Sequence, residues 1–115
     1  MRLLIAGSRS FGDYELLKRE IIKNYEKEEM TEIISGCAKG ADSLAIKYAE
    51  EMGIRIKKFP ADWDTYGISA GFRRNKQMVD YCDEAIFFWD NKSKGTENTI
   101  NEMKKSNKKF IIVGC

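Results

Sequence analysis

The sequence predicts an α/β fold: one domain over residues 1–115, with five parallel strands in the order 3-2-1-4-5 and helices on both faces as three layers. Three observations predict it. Five short apolar runs recur along the chain, each of strand length. Segments with helical periodicity separate them. Several runs end in turns rich in glycine and hydroxyl residues, where a strand hands over to a helix. Parallel strands joined by helical crossovers are right-handed by default, which leaves few topologies open.

The first run, Arg2 to Ala6, is almost continuously apolar and fits a strand buried on both faces. Gly7-Ser8-Arg9-Ser10-Phe11-Gly12 turns the chain, and Asp13 is placed to cap a helix carrying Leu16, Leu17, Ile21 and Tyr25 on one face. Glu26 to Glu29 reads as its solvated end. Thr31 to Ser35 is the second strand. A helix follows from about Ser43 to Met52, with Gly53 as its C-cap. Ile54 to Phe59 alternates apolar and basic residues, so it reads as a half-exposed strand near the sheet edge, ended by Pro60. Residues 60–69 form the longest stretch without periodicity and hold Asp62, Trp63, Asp64 and Tyr66. Long irregular loops often bind ligands. A helix from Ala70-Gly71 to about Tyr81 follows, then a buried strand from Glu84 to Trp89. Asp90 to Thr96 turns into a helix opened by Thr96 or Glu97 and carrying Ile100 and Met103. Phe110 to Val113 is the last strand.

Composition narrows the chemistry. Hydrophobic residues make up 43% and charged ones 33%, an ordinary globular balance with room for a core. Twenty basic and eighteen acidic side chains nearly cancel, so no overall field draws the molecule to nucleic acid or a membrane surface. No apolar run reaches the roughly 20 residues of a membrane span, and no leader is read at Met1-Arg2-Leu3. Cys37, Cys82 and Cys115 are odd in number and dispersed, which suits free thiols in a reducing, cytoplasmic setting. The chain has no histidine. That excludes a Ser-His-Asp triad, a Cys-His pair and a His-ligated zinc within one subunit; no metal or cofactor is expected.

Ser35-Gly36-Cys37-Ala38-Lys39-Gly40-Ala41-Asp42 is the most informative stretch. A strand breaking at a glycine-rich turn into a helix exposes backbone N–H groups at the positive helix end, a phosphate-binding arrangement. Its spacing is neither that of a P-loop nor that of a dinucleotide fingerprint, and glycines that merely save space explain it too. In the predicted strand order three turns converge outside the carboxyl ends of neighbouring strands: Gly7-Ser8-Arg9, Gly36 to Asp42, and Ser93 to Thr96. Ligands of open α/β sheets bind at that reversal of strand order. Arg73-Arg74-Asn75-Lys76 places cations at a helix start, against the dipole. Either a ligand phosphate compensates them, or they point into water or pair with Asp62 or Asp64.

With these residues in hand, the chain resembles the SLOG superfamily, a Rossmann-like group that includes the LOG phosphoribohydrolases and the DNA-processing protein DprA; its small YspA-like branch is most similar. The matching pieces are Gly7 to Phe11, Ser35 to Asp42, Pro60-Ala61-Asp62-Trp63, Ala70-Gly71 with Arg74, Asn75 and Met78, Phe88-Trp89-Asp90, and Ser93 to Thr96. The resemblance implies a pocket for a nucleotide-derived ligand, such as an ADP-ribose-like compound or a nucleoside phosphate. It also implies self-association as a homodimer or larger homo-oligomer. LOG enzymes cleave an N-glycosidic bond with an arginine before a helical methionine and a glutamate in a Gly-Gly-x-Gly-Thr-x-x-Glu motif. Arg74 matches that arginine and Gly95-Thr96 the Gly-Thr, but Thr99 stands at the glutamate position. Glu97 is one register off, and Asp62, Asp64 and Asp90 are other carboxylates that hydrolysis would draw on. Cys37, where relatives show glycine, is either an activated thiol at a helix start or a packing residue.

The expected function is therefore the binding of a nucleotide-derived small molecule by a sensor or sequestering protein. Backbone N–H groups of Gly36–Asp42 and Gly95–Thr96 would hold phosphates, with Arg9 and Arg74 as counter-charges. Asp42 or Asp62 would accept from ribose hydroxyls, and Trp63 or Tyr66 would stack on a base unless Trp63 is a core anchor. Gly7, Ser8, Ser35, Cys37, Lys39, Gly40, Asn75, Asp90 and Ser93 complete the candidate binding set. The alternative is a nucleoside 5'-monophosphate N-glycosidase using Arg74 and Glu97. A nucleic-acid protein is the least favoured reading, because Lys57-Lys58, Lys104-Lys105 and Lys108-Lys109 lack interleaved aromatics.

Overall fold

The computed structural model describes residues 1–115. Five strands, β1 (Arg2–Gly7), β2 (Glu32–Ser35), β3 (Arg55–Lys58), β4 (Glu84–Trp89) and β5 (Lys109–Gly114), pair in parallel in the order β3-β2-β1-β4-β5. The helices are α1 (Tyr14–Asn24), α2 (Ala41–Met52), α3 (Trp63–Tyr66), α4 (Ala70–Tyr81) and α5 (Lys94–Lys105). Order and direction are those expected. The fold is Rossmann-like, with helices packed around the sheet.

The continuous apolar runs are explained by the two-period of a strand. Leu3 and Ile5 of β1, Ile33 of β2, and Ile86 and Phe88 of β4 face Leu17 and Ile21 of α1 and Ala45, Tyr48 and Ala49 of α2. Their neighbours Leu4, Ala6, Ile34, Ala85 and Phe87 face Met78 and Val79 of α4 and Ile100 and Met103 of α5. Each fully buried side chain of this size is worth about 1.5–3 kcal/mol. Edge strand β3 buries little, as its alternation with basic residues requires.

Local signals set the element ends. The Asp13 side chain accepts from Leu16 N at 3.0 Å, and Gly53 takes a left-handed φ of 66° behind α2. Lys108 Nζ closes the far end of α4, donating to the carbonyls of Val79, Asp80 and Cys82. Several boundaries differ from expectation. Helix α1 stops at Asn24 because Tyr25 is extended, so Glu26 to Glu29 is not its end but holds a separate 3-10 turn at Lys27–Glu29. Helix α2 starts at Ala41 rather than Ser43, because the chain turns at Gly40 and Asp42 already lies in the first helical turn. Helix α5 starts at Lys94, before Thr96. Residues 62–69 are not irregular: the Asp62 side chain caps α3 through Thr65 N at 3.2 Å, and a 3-10 turn at Gly67–Ser69 leads into α4. A four-residue helix is too short for periodicity to reveal.

Candidate functional site

A crevice of about 420 Å³ opens outside the carboxyl ends of β1 and β4, where strand order reverses. Its floor is Ala6, Gly7, Met78 and Thr99. Its walls are Arg9, Ser10, Ala38, Asp42, Arg74, Asn75, Asp90, Ser93, Gly95 and Thr96. Residues from five separate segments thus meet in one place, as the convergence of turns requires.

Arg74 is the central side chain. It leaves the first half of α4 and crosses to the β2 turn, where Nη1 donates to the Gly36 carbonyl, while Nε donates to Asn75 Oδ1 at 3.0 Å. Nη2 has no protein acceptor. Burial pulls this guanidinium below its ordinary value, and the nearby Asp42 and Cys37 oppose that pull. Asn75 in turn ties α4 to α5, donating to Asn98 Oδ1 at 3.0 Å and to the Gly95 carbonyl at 3.4 Å. The cations at the start of α4 therefore do not pair with Asp62 or Asp64. Arg74 goes inward, whereas Arg73 bonds Ser69 and lies 4.3 Å from the Tyr66 ring centre.

Asp42 is the crevice's buried carboxylate, 6% exposed. Its Oδ2 accepts from Ala38 N at 3.2 Å and its other oxygen has no protein partner. Burial raises its pKa above the ordinary 3.8, against the Ala38 N–H and the Arg74 and Arg9 charges, which lower it. The folded protein therefore retains a proton that the unfolded chain has released, and the stability contributed by this group falls as pH rises from 3.8 through the raised native value. Asp42→Asn is expected to flatten the dependence of Tm on pH above 3.8 and to raise Tm near neutrality. Thermal unfolding across that range checks it, and a lower Tm near neutrality would mean that attraction to Arg74 outweighs desolvation.

The glycine-rich turn uses three of its amides to tie itself down, while those of Gly36, Lys39 and Gly40 have no protein acceptor. Cys37 N donates to Ser35 Oγ, Ala38 N to Asp42 and Ala41 N to the Ser8 carbonyl. Its glycines make room for protein: a Cβ on Gly36 would meet Arg74 Nη1 at 2.7 Å and Asp42 Oδ2 at 2.9 Å. Gly40, at φ 78°, lies against the Ser8 and Arg9 carbonyls. The turn is thus interlocked with its neighbours, and the start of α2 has no side-chain cap. Ser93 makes no side-chain cap on α5 either, so the first-turn amides of Gly95 and Thr96 stay open beside the crevice.

The other expected site residues divide into two groups. Ser8, Ser35 and Asp90 act as stitches: Ser8 Oγ accepts from Asp90 N at 3.0 Å, Ser35 Oγ donates to the Asp42 carbonyl at 2.9 Å, and Asp90 Oδ1 accepts from Lys92 N and Ser93 N. Those two amides hold the Asp90 carboxyl below its usual range. Lys39, Asp62 and Glu97 are exposed and line no part of the crevice. Glu97 points away because it lies one residue past Thr96, on the solvent side of α5. Cys37, Gly36 and Trp63 line a smaller adjoining hollow, and Trp63 is 52% exposed, so it is not a core anchor. Cys37 has a φ of 64°, the left-handed region that favours glycine. Ala6, Ser10, Ala38, Met78 and Thr99 line the crevice without having been assigned to the binding set, although Ser10, Met78 and Thr99 stand in the motif segments that the sequence singles out.

No helix is long and apolar enough to cross a membrane. No solved structure matches the chain. The Gene 61 protein of Mycobacterium phage D29 is similar, at 28% identity over 120 residues that cover 98% of this chain and 96% of that protein. Residues 1–66, which carry the first strand turn, the glycine-rich interlock and the Trp63 segment, match the model of the YspA, cpYpsA-related SLOG family. The chain belongs to that SLOG family.

Proposed function

We propose that the crevice binds the phosphate-bearing end of a nucleotide-derived small molecule, and that the protein acts as a sensor or sequestering protein for it. The observation that carries this reading is the meeting of open α5 amides at Gly95–Thr96 with two guanidinium groups, Arg9 and Arg74, in one crevice. Guanidinium and first-turn amides together provide charge and directed donors for phosphate oxygens. Asp42, with a free oxygen, is positioned to accept from a sugar hydroxyl. None of the paired lysines lines the crevice, so phosphate recognition here is local rather than an extended nucleic-acid track.

One observation favours a second reading, N-glycosidic hydrolysis. Asp42 places a buried carboxylate of raised pKa close to Arg74, supplying an acid–base group that Glu97 does not. Water would add across the C1'–N bond: its oxygen bonds C1', the bond to the base breaks, and its proton passes through Asp42 to the base nitrogen. Incubation with nucleoside monophosphates, NAD and ADP-ribose separates the readings, with thermal shift and chromatography of the recovered compound. A stabilising compound recovered intact supports the binder. Release of free base, lost in Asp42→Asn, supports hydrolysis. No stabilisation by any phosphate compound refutes both.

A further inference from the structure

Beside the crevice lies a second hollow of about 200 Å³, lined by Arg9, Gly36, Cys37, Ala38, Pro60, Ala61, Trp63 and Arg74. Arg9, Ala38 and Arg74 line both spaces, so the two adjoin on either side of these residues. We propose that this hollow is a ring-binding subsite: it takes the planar heterocycle of the ligand whose phosphate lies at α5, with the ring against Trp63. This inference rests on the phosphate-binding reading of the crevice.

Its size and walls support a ring. The hollow is below the roughly 300 Å³ of a complete ligand site, so it suits a fragment. It contains no carboxylate, and Pro60, Ala61 and the Trp63 indole give it apolar surfaces. Trp63 is half-exposed although the domain has an ample core, and capped α3 holds it in place: a Cβ on Gly71 would already touch its ring at 3.4 Å. Tyr66 does not compete for the role, because Arg73 occupies its face and it does not line the hollow. Arginine beside an aromatic wall adds a cation for a π-face. The ligand is then two-ended, with sugar and phosphate spanning from Trp63 past Arg74 to Thr96.

Calorimetric titration with AMP and with ribose 5-phosphate tests this. Wild type is expected to bind AMP about tenfold more tightly or better, the scale of one base stacked on one aromatic ring. Trp63→Ala is expected to bring AMP down to the ribose 5-phosphate level and leave the latter unchanged. A readout without any variant is alkylation of Cys37, an exposed thiol in the hollow, followed by mass spectrometry. AMP is expected to slow it and ribose 5-phosphate not, while Cys115, which lines neither space, reacts at the same rate throughout. Equal affinity of the two compounds with no protection of Cys37 overturns the subsite and leaves the phosphate crevice standing. Failure of both compounds to bind overturns both.

Discussion

Arg74→Ala is expected to lower affinity for a phosphate-bearing ligand by about 100-fold, because charge-assisted hydrogen bonds to a partly desolvated guanidinium are worth roughly 1.5–3 kcal/mol. Arg74 lines both parts of the site, and its Nη2 is free of protein acceptors. The same change removes the donor to the Gly36 carbonyl and the cation nearest the buried Asp42 carboxylate, so Tm should fall as well. Arg74→Lys will not rescue binding. An ammonium reaches one acceptor where the planar fork serves the Gly36 carbonyl, Asn75 and a ligand at once. Calorimetry on both variants decides it, and unchanged affinity in Arg74→Ala would remove the crevice as the phosphate site.

Gly40→Ala is expected to be the most destabilising single-methyl change in the turns, at about 3 kcal/mol or more. The residue combines a φ of 78° with a Cβ position 2.6 Å from the Arg9 carbonyl oxygen and closer still to that of Ser8. Left-handed strain and backbone overpacking each cost on the order of 1–3 kcal/mol. Neither neighbour is a flexible side-chain end, so the two turns must separate, and the crevice widens with them. Gly12→Ala is the control, since nothing lies within 4 Å of its added methyl. Equilibrium denaturation of both variants checks the contrast; a Gly40→Ala protein as stable as Gly12→Ala would show that the turns are not interlocked.

The family's motifs were legible as residues, but their roles were not. Glycines in Gly36–Gly40 read equally as a phosphate cradle or as space-savers, and only the positions of Arg74, Asp42 and the Ser8 and Arg9 carbonyls show what fills that space. Arg74 comes from a helix 38 residues away from Gly36 in the chain, a distance that no local pattern spans. Asp42 looked like one of several carboxylates until burial distinguished it from the exposed Asp62 and Glu97.

Strand order, parallel pairing and the place of the crevice were legible in the chain alone, because alternating apolar runs and amphipathic segments leave few right-handed ways to wind the sheet, and a reversal of strand order brings its turns together. Which amides stay open, which carboxylate is buried, and that Trp63 stands in a hollow beside Arg74 were decided by tertiary packing. Those properties belong to pairs of residues remote in sequence, and a side chain's solvation depends on whatever the rest of the fold brings against it.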